Sequence, residues 1–460
     1  MKALRDPDNL LADGLSSIRA QYHVPDSFPP DVLAAAQQAA LRPPSEHQDR
    51  TAVPFVTLDP ASSTDLDQAF HIEAAGADLI LHYAIADVAW FVSDGDVIDA
   101  EAWKRGMTMY LPGAKAGLYP PVLAEGAASL LPDGPRPAVV FTTRVPPDGN
   151  VKLEGVARAV IRSRAKLAYD AVRDTDVPAG FADLAARITA AEDRRGAARI
   201  DPAEQEVSRD ASGHYTLTLR PQLVSEKRNA ALSLASNMAV ADALYAAGTG
   251  LFRVMAPPEE RAITRLRGTA AAFGLDWPAA LPLRAFEQQL DPRDARHAAF
   301  LLAVRRAGDG ASYQPFQPGV TPWHAAMAAT YAHATAPLRR LADRYVVRAA
   351  LAVANGQPLP VTVSEAFQRL PAVMDRAEAA GGQVERAVID LAEAVLLTGR
   401  EGETFSAVVT DVGESGARIQ LCDHAIVART AAKGVVPGAR ITVRLLKADA
   451  EHRQLAFAQA

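Results

Sequence analysis

The spacing of apolar residues changes twice along the chain, and these changes restrict the folds that it can adopt. After Val53 the sequence favours β-strands, in runs rich in β-branched and aromatic residues at 53–58, 68–72 and 79–85. Between Leu184 and Ala354 the apolar residues follow helical spacing, most clearly at 229–246 and 294–307. This order predicts an α+β domain whose sheet is mostly antiparallel.

Shorter segments flank this domain. Two short helices are predicted at 8–20 and 30–41, and we expect a small helix-turn-helix-like unit there. A helix is predicted at 364–397, where Gly381 and Gly382 indicate close packing or a break. Five short strands follow and predict a small barrel of the OB type. The predicted domains are therefore residues 1–50, 51–398 and 399–460.

Composition excludes several classes of protein. The 460 residues have a net charge of −6, so the protein as a whole does not attract nucleic acid electrostatically. Any nucleic-acid site must therefore be a local one. One cysteine, Cys422, excludes an intrachain disulfide and a cysteine-based zinc site. No stretch approaches the roughly 18 apolar residues of a membrane span, and the amino-terminal residues do not resemble a signal peptide. We therefore expect a cytoplasmic protein with no membrane contact.

Three aspartates lie between two predicted strands. Asp65 and Asp67 are two residues apart, so in an extended chain their side chains share one face, and a turn after Pro60 can bring Asp59 beside them. Converging carboxylates repel one another unless a cation neutralises them, and hard oxygen ligands suit Mg²⁺ or Mn²⁺. The spacing indicates metal-assisted phosphoryl transfer. The alternative is a solvated acidic loop.

A second cluster of functional residues lies at 331–343. We expect Thr335 to cap a helix that begins near Pro337, with Arg339 and Arg340 in its first turn. Two arginines at that end of a helix suit a bound phosphate, which guanidinium groups bind bidentately. The alternative is an ion pair between one of them and Asp343.

Two further features are open to two interpretations. Tyr110 precedes Leu111 and Pro112, where it could stack on a nucleobase or pack in the core. Glu385, with Arg386 and Asp390, could equally form a charged helix face. The predicted barrel is of a type that commonly binds single-stranded nucleic acid, although it could simply pack against the rest of the chain.

Several of these stretches together resemble the ribonuclease II family. The resemblance covers about residues 50–398 in family order, and the barrel resembles the OB-fold RNA-binding domain that follows the RNB catalytic domain in that family. The stretches that carry it are 55–67 (FVTLDPASSTDLD), 82–88 (HYAIADV), 105–112 (RGMTMYLP), 119–123 (YPPVL) with Ser129 and Leu130, and 331–343 (YAHATAPLRRLAD).

The resemblance implies a processive, hydrolytic 3′–5′ exoribonuclease that degrades single-stranded RNA to nucleoside 5′-monophosphates. It also implies dependence on Mg²⁺, for which Mn²⁺ can substitute. The implied roles are metal binding by Asp59, Asp65, Asp67 and the adjoining Gln68, catalysis by Asp67 and Arg339, and substrate binding by Tyr110, Glu385 and Arg340. We expect single-stranded RNA as the partner, no protein partner, and a monomer.

The sequence departs from the family pattern at several positions. Gln68 replaces a fourth aspartate, so we expect it to bind the cation without adding charge and to raise the Mg²⁺ requirement. Ala336 replaces a serine before the catalytic arginine. Ala230 and Ala231 stand where the family has glutamates. The family has a second aromatic residue that clamps the RNA besides the one matched by Tyr110, and its position here is Leu217 or the nearby Tyr215. Relatives carry two cold-shock barrels where this sequence has about 50 residues.

These departures keep other functions open. A catalytically weakened RNB protein that binds RNA or regulates it is the main alternative, and Gln68 favours that alternative. A metal phosphatase unrelated to RNA would explain the aspartates but not the barrel.

Overall fold

The structure is a computed structural model, and it describes residues 9–197, 204–209, 215–220, 222–291, 294–308, 310–413, 416–422, 424, 426–432 and 434–460. None of the helices in these ranges is long and apolar enough to span a membrane.

The described chain contains both helices and strands. The α-helices are Leu10–Gln21 (α1), Pro30–Ala40 (α2), Val88–Phe91 (α3), Val97–Arg105 (α4), Phe181–Arg195 (α5), Val224–Ala246 (α6), Glu260–Ala272 (α7), Leu283–Glu287 (α8), Ala295–Ala307 (α9), Leu341–Ala354 (α10) and Val361–Leu397 (α11), and one π-helical turn covers Leu123–Ala127. The strands are Gln48–Asp49 (β1), Phe55–Asp59 (β2), Gln68–Ala75 (β3), Asp78–Ala86 (β4), Met109–Leu111 (β5), Ala114–Ala116 (β6), Arg136–Val145 (β7), Lys152–Ile161 (β8), Ser163–Ala168 (β9), Glu204–Arg209 (β10), Tyr215–Arg220 (β11), Leu251–Val254 (β12), Ser312–Pro315 (β13), Trp323–His324 (β14), Ala329–Thr330 (β15), Thr404–Gly413 (β16), Gly416–Leu421 (β17), Val427–Thr430 (β18), Arg440–Asp449 (β19) and Gln454–Gln459 (β20).

A seven-stranded sheet forms the centre of the molecule, in the order β1-β8-β7-β4-β3-β2-β9. The inner pairs are antiparallel, whereas β1 and β9 join the edges in parallel. Strand β4 is buried along almost its whole length because other elements cover both of its faces. The predicted α+β class with a mostly antiparallel sheet is confirmed.

A separate closed barrel follows α11, with the strand order β16-β17-β18-β20-β19. Alternate residues point inwards, as the burial of Phe405, Ala407 and Val409 shows. The predicted five-stranded barrel of the OB type is confirmed.

The first two helices pack into different hydrophobic clusters. Helix α1 contributes Leu11 and Ile18 to a cluster shared with α11 and the barrel, whereas α2 packs in the core around the central sheet. A Cβ atom at Gly14 would lie 2.6 Å from the methyl carbons of Leu391, so glycine allows α1 to approach α11 closely. This packing differs from the small helix-turn-helix-like unit that the sequence led us to expect.

Two local expectations are wrong. Helix α11 runs unbroken through Gly381 and Gly382, and a Cβ atom at Gly381 would meet only the sulfur of Met107 at 3.9 Å, so these glycines mark neither a break nor close packing. Helix α10 begins at Leu341 rather than near Pro337, and Thr335 does not cap it. The preceding turn is held instead by the Asp343 carboxylate, which accepts the Ala336 N–H at 2.8 Å.

Candidate active site

The aspartates predicted as metal ligands lie between the end of β2 and the start of β3. Asp59 ends β2, and the chain then crosses to β3 through a loop that contains Asp65 and Asp67. Ser129 fixes this loop, because its hydroxyl accepts the Leu66 N–H at 2.9 Å and donates to the Thr64 carbonyl at 2.7 Å. Leu66 itself is fully buried. The end of the loop that carries Asp65 and Asp67 is therefore fixed by packing, whereas residues 60–62 and 64 are exposed to solvent.

Asp67 joins this loop to the segment before α10. Its Oδ1 accepts the Leu338 N–H at 2.7 Å, and its Oδ2 lies 3.4 Å from Nε of Arg339. The residue is only 5% exposed, and burial raises the pKa of its carboxyl group to about 7, although the positive charge of Arg339 opposes the rise. The structure thus brings together the two residues predicted to act in catalysis.

Asp59 lines a cavity beside Arg339. Burial raises the pKa of the Asp59 carboxyl group to about 7, Arg339 opposes the rise, and the negative charge of Asp65 adds to it. Within the described part of the chain, the Asp59 side chain has no hydrogen-bond or ion-pair partner. A desolvated carboxylate of this kind would be stabilised by a cation.

Asp65 is engaged by a short hairpin made of β5 and β6. Tyr110 and Lys115 face each other across this hairpin, and both donate to Asp65. The Tyr110 hydroxyl lies 3.1 Å from Oδ2, and the Lys115 ammonium lies 2.9 Å from Oδ1 and 3.1 Å from Glu125. The Tyr110 side chain nevertheless remains exposed, at 54%. Its position beside the aspartates leaves its ring accessible to a ligand.

Gln68 makes its hydrogen bonds inside the protein. Its amide nitrogen donates to the Thr335 carbonyl at 2.7 Å, and its amide oxygen accepts the hydroxyl of Tyr83 as well as that of Ser233, the latter at 3.2 Å. An amide oxygen has two lone pairs, so both are already used. Coordination of a cation by this oxygen would require one hydroxyl to leave.

Arg339 and Arg340 have different environments. Arg340 occupies the position before the first residue of α10 and forms a bidentate pair with buried Asp343, at 3.0 and 2.8 Å. Arg339 keeps 45% of its side chain exposed, and among the residues that the structure describes it reaches salt-bridge distance only with Asp67. The alternative ion pair with Asp343 is therefore formed by Arg340, and Arg339 is left to face the cavity.

A cavity of about 1050 Å³ extends from these residues between the sheet, α6 and α11. It is lined at one end by Asp59 and Arg339 and elsewhere by Tyr169, Asn229 and Glu385. Glu385 is exposed on α11, so it can reach a ligand in the cavity. The candidate clamp positions Tyr215 and Leu217 are instead buried in the cluster around α11 and the barrel, and neither is among the cavity-lining residues.

Some residues of this site were missed by sequence reasoning. Lys115, Ser233 and Tyr169 belong to separate elements, and none lies in a recognisable charged motif. For Lys115 one signal exists: Gly113 allows a tight turn, which would place Lys115 across a hairpin from Tyr110. No comparable local signal marks Ser233 or Tyr169.

The donor set fits a divalent cation only in part. Among the described residues, no three His, Cys, Asp or Glu side chains meet at metal-binding distance. Asp59 and Asp67 offer hard oxygen ligands that burial has desolvated, which suits Mg²⁺. Asp65 and Gln68 use their oxygens within the protein. Asp59 has no hydrogen-bond or ion-pair partner among the described residues, and Oδ2 of Asp67 has only the 3.4 Å contact with Arg339, so these two residues would hold the ion.

Known proteins share both parts of this fold. The RNB domain model matches residues 47–355, and the model of the RNase II-type exonuclease C-terminal S1 domain matches residues 403–460. The structure of Mycoplasma genitalium RNase R in complex with ribose methylated single-stranded RNA superposes with a TM-score of 0.88 at 19% identity, covering 100% of this chain and 79% of that one.

Curated relatives show the same kinship at the level of sequence. Ribonuclease R of Aquifex aeolicus is 26% identical over 434 residues, which are 88% of this chain and 61% of the relative. Exoribonuclease 2 of Cronobacter sakazakii is 29% identical over 406 residues, which are 83% of this chain and 62% of the relative. The chain thus spans about three fifths of these relatives. The resemblance seen in the sequence is confirmed: the chain belongs to the RNB-domain family and carries an RNase II-type S1 domain.

Proposed function

We propose that the protein is a Mg²⁺-dependent exoribonuclease that hydrolyses single-stranded RNA processively from its 3′ end and releases nucleoside 5′-monophosphates. The observation that carries the proposal is the contact between Asp67 and Arg339 at the end of the cavity, in a chain of the RNB-domain family. A buried carboxylate beside a half-exposed guanidinium can hold a water molecule and a phosphate next to each other.

Arg339 would bind the scissile phosphate. Its guanidinium is fixed by Asp67 but remains accessible, so it can donate to phosphate oxygens and stabilise the charge that develops on them. Asp67 would orient the attacking water and accept its proton, because its oxygens lie beside that guanidinium. A bound Mg²⁺, held by Asp59 and Asp67, would supply Lewis-acid stabilisation of the phosphate. The part of Gln68 in metal binding stays a prediction.

Tyr110 and Glu385 would bind the 3′-terminal nucleotide. The exposed ring of Tyr110 can stack on a base, a contact worth roughly 1–3 kcal/mol. The carboxylate of Glu385 can accept hydrogen bonds from ribose hydroxyl groups, and contacts to the 2′-hydroxyl would distinguish RNA from DNA.

The barrel would bind RNA upstream of the cavity. We propose that the protein acts as a monomer in the cytoplasm.

One observation favours a second function. Gln68 replaces an aspartate of the family pattern, and both lone pairs of its amide oxygen are used inside the protein. A chain with this site could bind RNA while hydrolysing it slowly or not at all, and would then act as an RNA-binding protein.

Incubation of single-stranded RNA, labelled at its 5′ end, with the protein and Mg²⁺ distinguishes these functions. Progressive shortening from the 3′ end with release of mononucleotides supports the exoribonuclease. A retarded but intact RNA in a gel-shift experiment supports the RNA-binding alternative. Neither binding nor hydrolysis would reject both, and a single-stranded DNA of the same sequence provides the control for sugar selectivity.

A further inference from the structure

A lysine ammonium lies within the cluster of acidic residues. Nζ of Lys115 is 2.9 Å from Oδ1 of Asp65 and 3.1 Å from Oε1 of Glu125. The Lys115 side chain is 25% exposed, and that of Asp65 is 10% exposed. Two carboxylates that converge on one point in a partly desolvated place need a positive charge between them. In this chain the lysine provides that charge.

The remaining oxygens of the two carboxylates are also engaged. Oδ2 of Asp65 accepts the Tyr110 hydroxyl at 3.1 Å, and Oε2 of Glu125 accepts the Thr64 hydroxyl at 2.8 Å. All four carboxylate oxygens of the pair therefore have a partner within the protein. The arrangement is complete without any bound ion.

The backbone sets this position for the ammonium. Lys115 lies opposite Tyr110 in the β5–β6 hairpin, and the turn between them contains Gly113 with a φ of 73°. That left-handed conformation suits glycine. The hairpin thus presents one cation and one hydroxyl group to the same aspartate.

Asp59 differs from this closed pair. Its carboxylate has no partner among the described residues and lines the cavity, and Asp67 lies beside Arg339 at the same end. The acidic residues therefore fall into two groups. Asp65 and Glu125 are neutralised by Lys115, whereas Asp59 lines the cavity and the buried Asp67 contacts Arg339, which lines the same cavity.

We propose that Lys115 is a resident cation of the active site, located where a divalent ion between Asp65 and Glu125 would otherwise bind. The chain then binds one divalent ion, at Asp59 and Asp67, instead of two. This inference rests on the proposed metal-dependent function, but it concerns the number of ions bound and not the reaction. It assigns to Lys115 a part in the charge balance of the site.

The number of Mn²⁺ ions bound per chain tests the inference, measured on the full chain without RNA by the loss of the free-Mn²⁺ electron paramagnetic resonance signal. We expect one ion in the wild type, one in Lys115→Arg and two in Lys115→Met, because the methionine variant frees both carboxylates. Lys104→Met is the matched control, since Lys104 is an exposed lysine paired with Glu101, and it should bind one ion. Equal numbers in Lys115→Met and the wild type, or a wild type that binds two ions or none, would overturn the inference.

A second pair of variants covers the case in which Lys115→Met does not fold. We expect Asp65→Asn to keep one Mn²⁺ with an affinity within about threefold of the wild type, and Asp59→Asn to lose at least about tenfold in affinity. The reverse order would overturn the inference. An RNA hydrolysis assay in parallel separates the two proposals. A wild type that hydrolyses RNA with two ions bound contradicts only the inference about Lys115. A wild type that binds a single ion without hydrolysing RNA contradicts only the proposed exoribonuclease function.

Discussion

The charges of Asp59 and Asp67 depend on the fold. Burial raises the pKa of both carboxyl groups to about 7, above the value of about 4 for an unfolded chain. The neutral form is therefore favoured by folding. Their stabilising contribution is complete below about pH 4 and is lost as the pH rises through 7, so both residues destabilise the metal-free protein at alkaline pH.

This dependence predicts the behaviour of Asp59→Asn. In the presence of a chelator at pH 8, we expect the variant to melt about 2 °C or more above the wild type, because it removes a buried charge without a partner. The difference should shrink as the pH falls and vanish below about pH 4, where the aspartate becomes neutral in both states. Mg²⁺ should raise the melting temperature of the wild type but not of the variant. A gain in melting temperature that is the same at both pH values would contradict the assigned cause.

Tyr110 donates a hydrogen bond to Asp65 and is proposed to stack on a base, and separate variants can distinguish the two contacts. Tyr110→Ala removes the ring, and we expect a longer undegraded end fragment, because a short RNA then loses its terminal stacking contact. Tyr110→Phe keeps the ring but loses the hydrogen bond to Asp65, so its end fragment should equal that of the wild type. Gel analysis of the end products measures both. An unchanged fragment in Tyr110→Ala would indicate that the ring has only a packing role.

Gln68 is the residue for which sequence and structure suggest different outcomes. If it were chiefly a metal ligand, Gln68→Glu would lower the Mg²⁺ concentration needed for half-maximal activity. Its contacts lead us to expect a loss of stability instead. The variant lacks the amide N–H that donates to the Thr335 carbonyl, and this loss costs about 1–3 kcal/mol of stability. Thermal melting and a Mg²⁺ titration decide the matter. Unchanged stability with a lower Mg²⁺ requirement would identify Gln68 as a ligand.

At the scale of elements, the start of α10 shows where local sequence rules are insufficient. The Thr-Ala-Pro pattern indicates a cap, but the helix begins later because Asp343 holds the preceding turn and pairs with Arg340. That arrangement depends on burial, which local pattern does not reveal. The long helices, the strands from Phe55 to Ala86 and the barrel were predictable because their periodicity extends over many residues.

The two neighbouring arginines should consequently differ when changed to lysine. Arg340→Lys cannot keep the bidentate contact with fully buried Asp343, so we expect a clear loss of stability, of about 3 kcal/mol or less because the positive charge remains. Arg339→Lys should melt like the wild type but hydrolyse RNA at least about tenfold more slowly, because we propose that the Arg339 guanidinium binds the scissile phosphate. Melting curves and initial rates measure the two effects. Equal loss of stability in both variants would contradict this division.

At the scale of the whole molecule, the site depends on contacts between distant parts of the chain. Asp67 and Leu338 are 271 residues apart, and the lysine beside Asp65 comes from a hairpin 50 residues away. The sequence identified Asp59, Asp65, Asp67, Tyr110 and Arg339 through family motifs, but it could not indicate that Asp65 is neutralised by Lys115. Such pairings join the loop between β2 and β3 to the β5–β6 hairpin and to the segment before α10, and local patterns do not reveal them.

The most direct test of the account compares Asp67→Asn with the wild type on single-stranded RNA in Mg²⁺, with binding and hydrolysis measured on the same samples. Asparagine has nearly the same shape but cannot accept a proton or hold a cation as a carboxylate does. We expect the wild type to release mononucleotides from the 3′ end, and the variant to lose hydrolysis while its RNA affinity stays within several-fold, since stacking and backbone contacts are spread along the strand. Hydrolysis by the variant at a rate near that of the wild type would contradict the proposal that Asp67 orients the attacking water and accepts its proton.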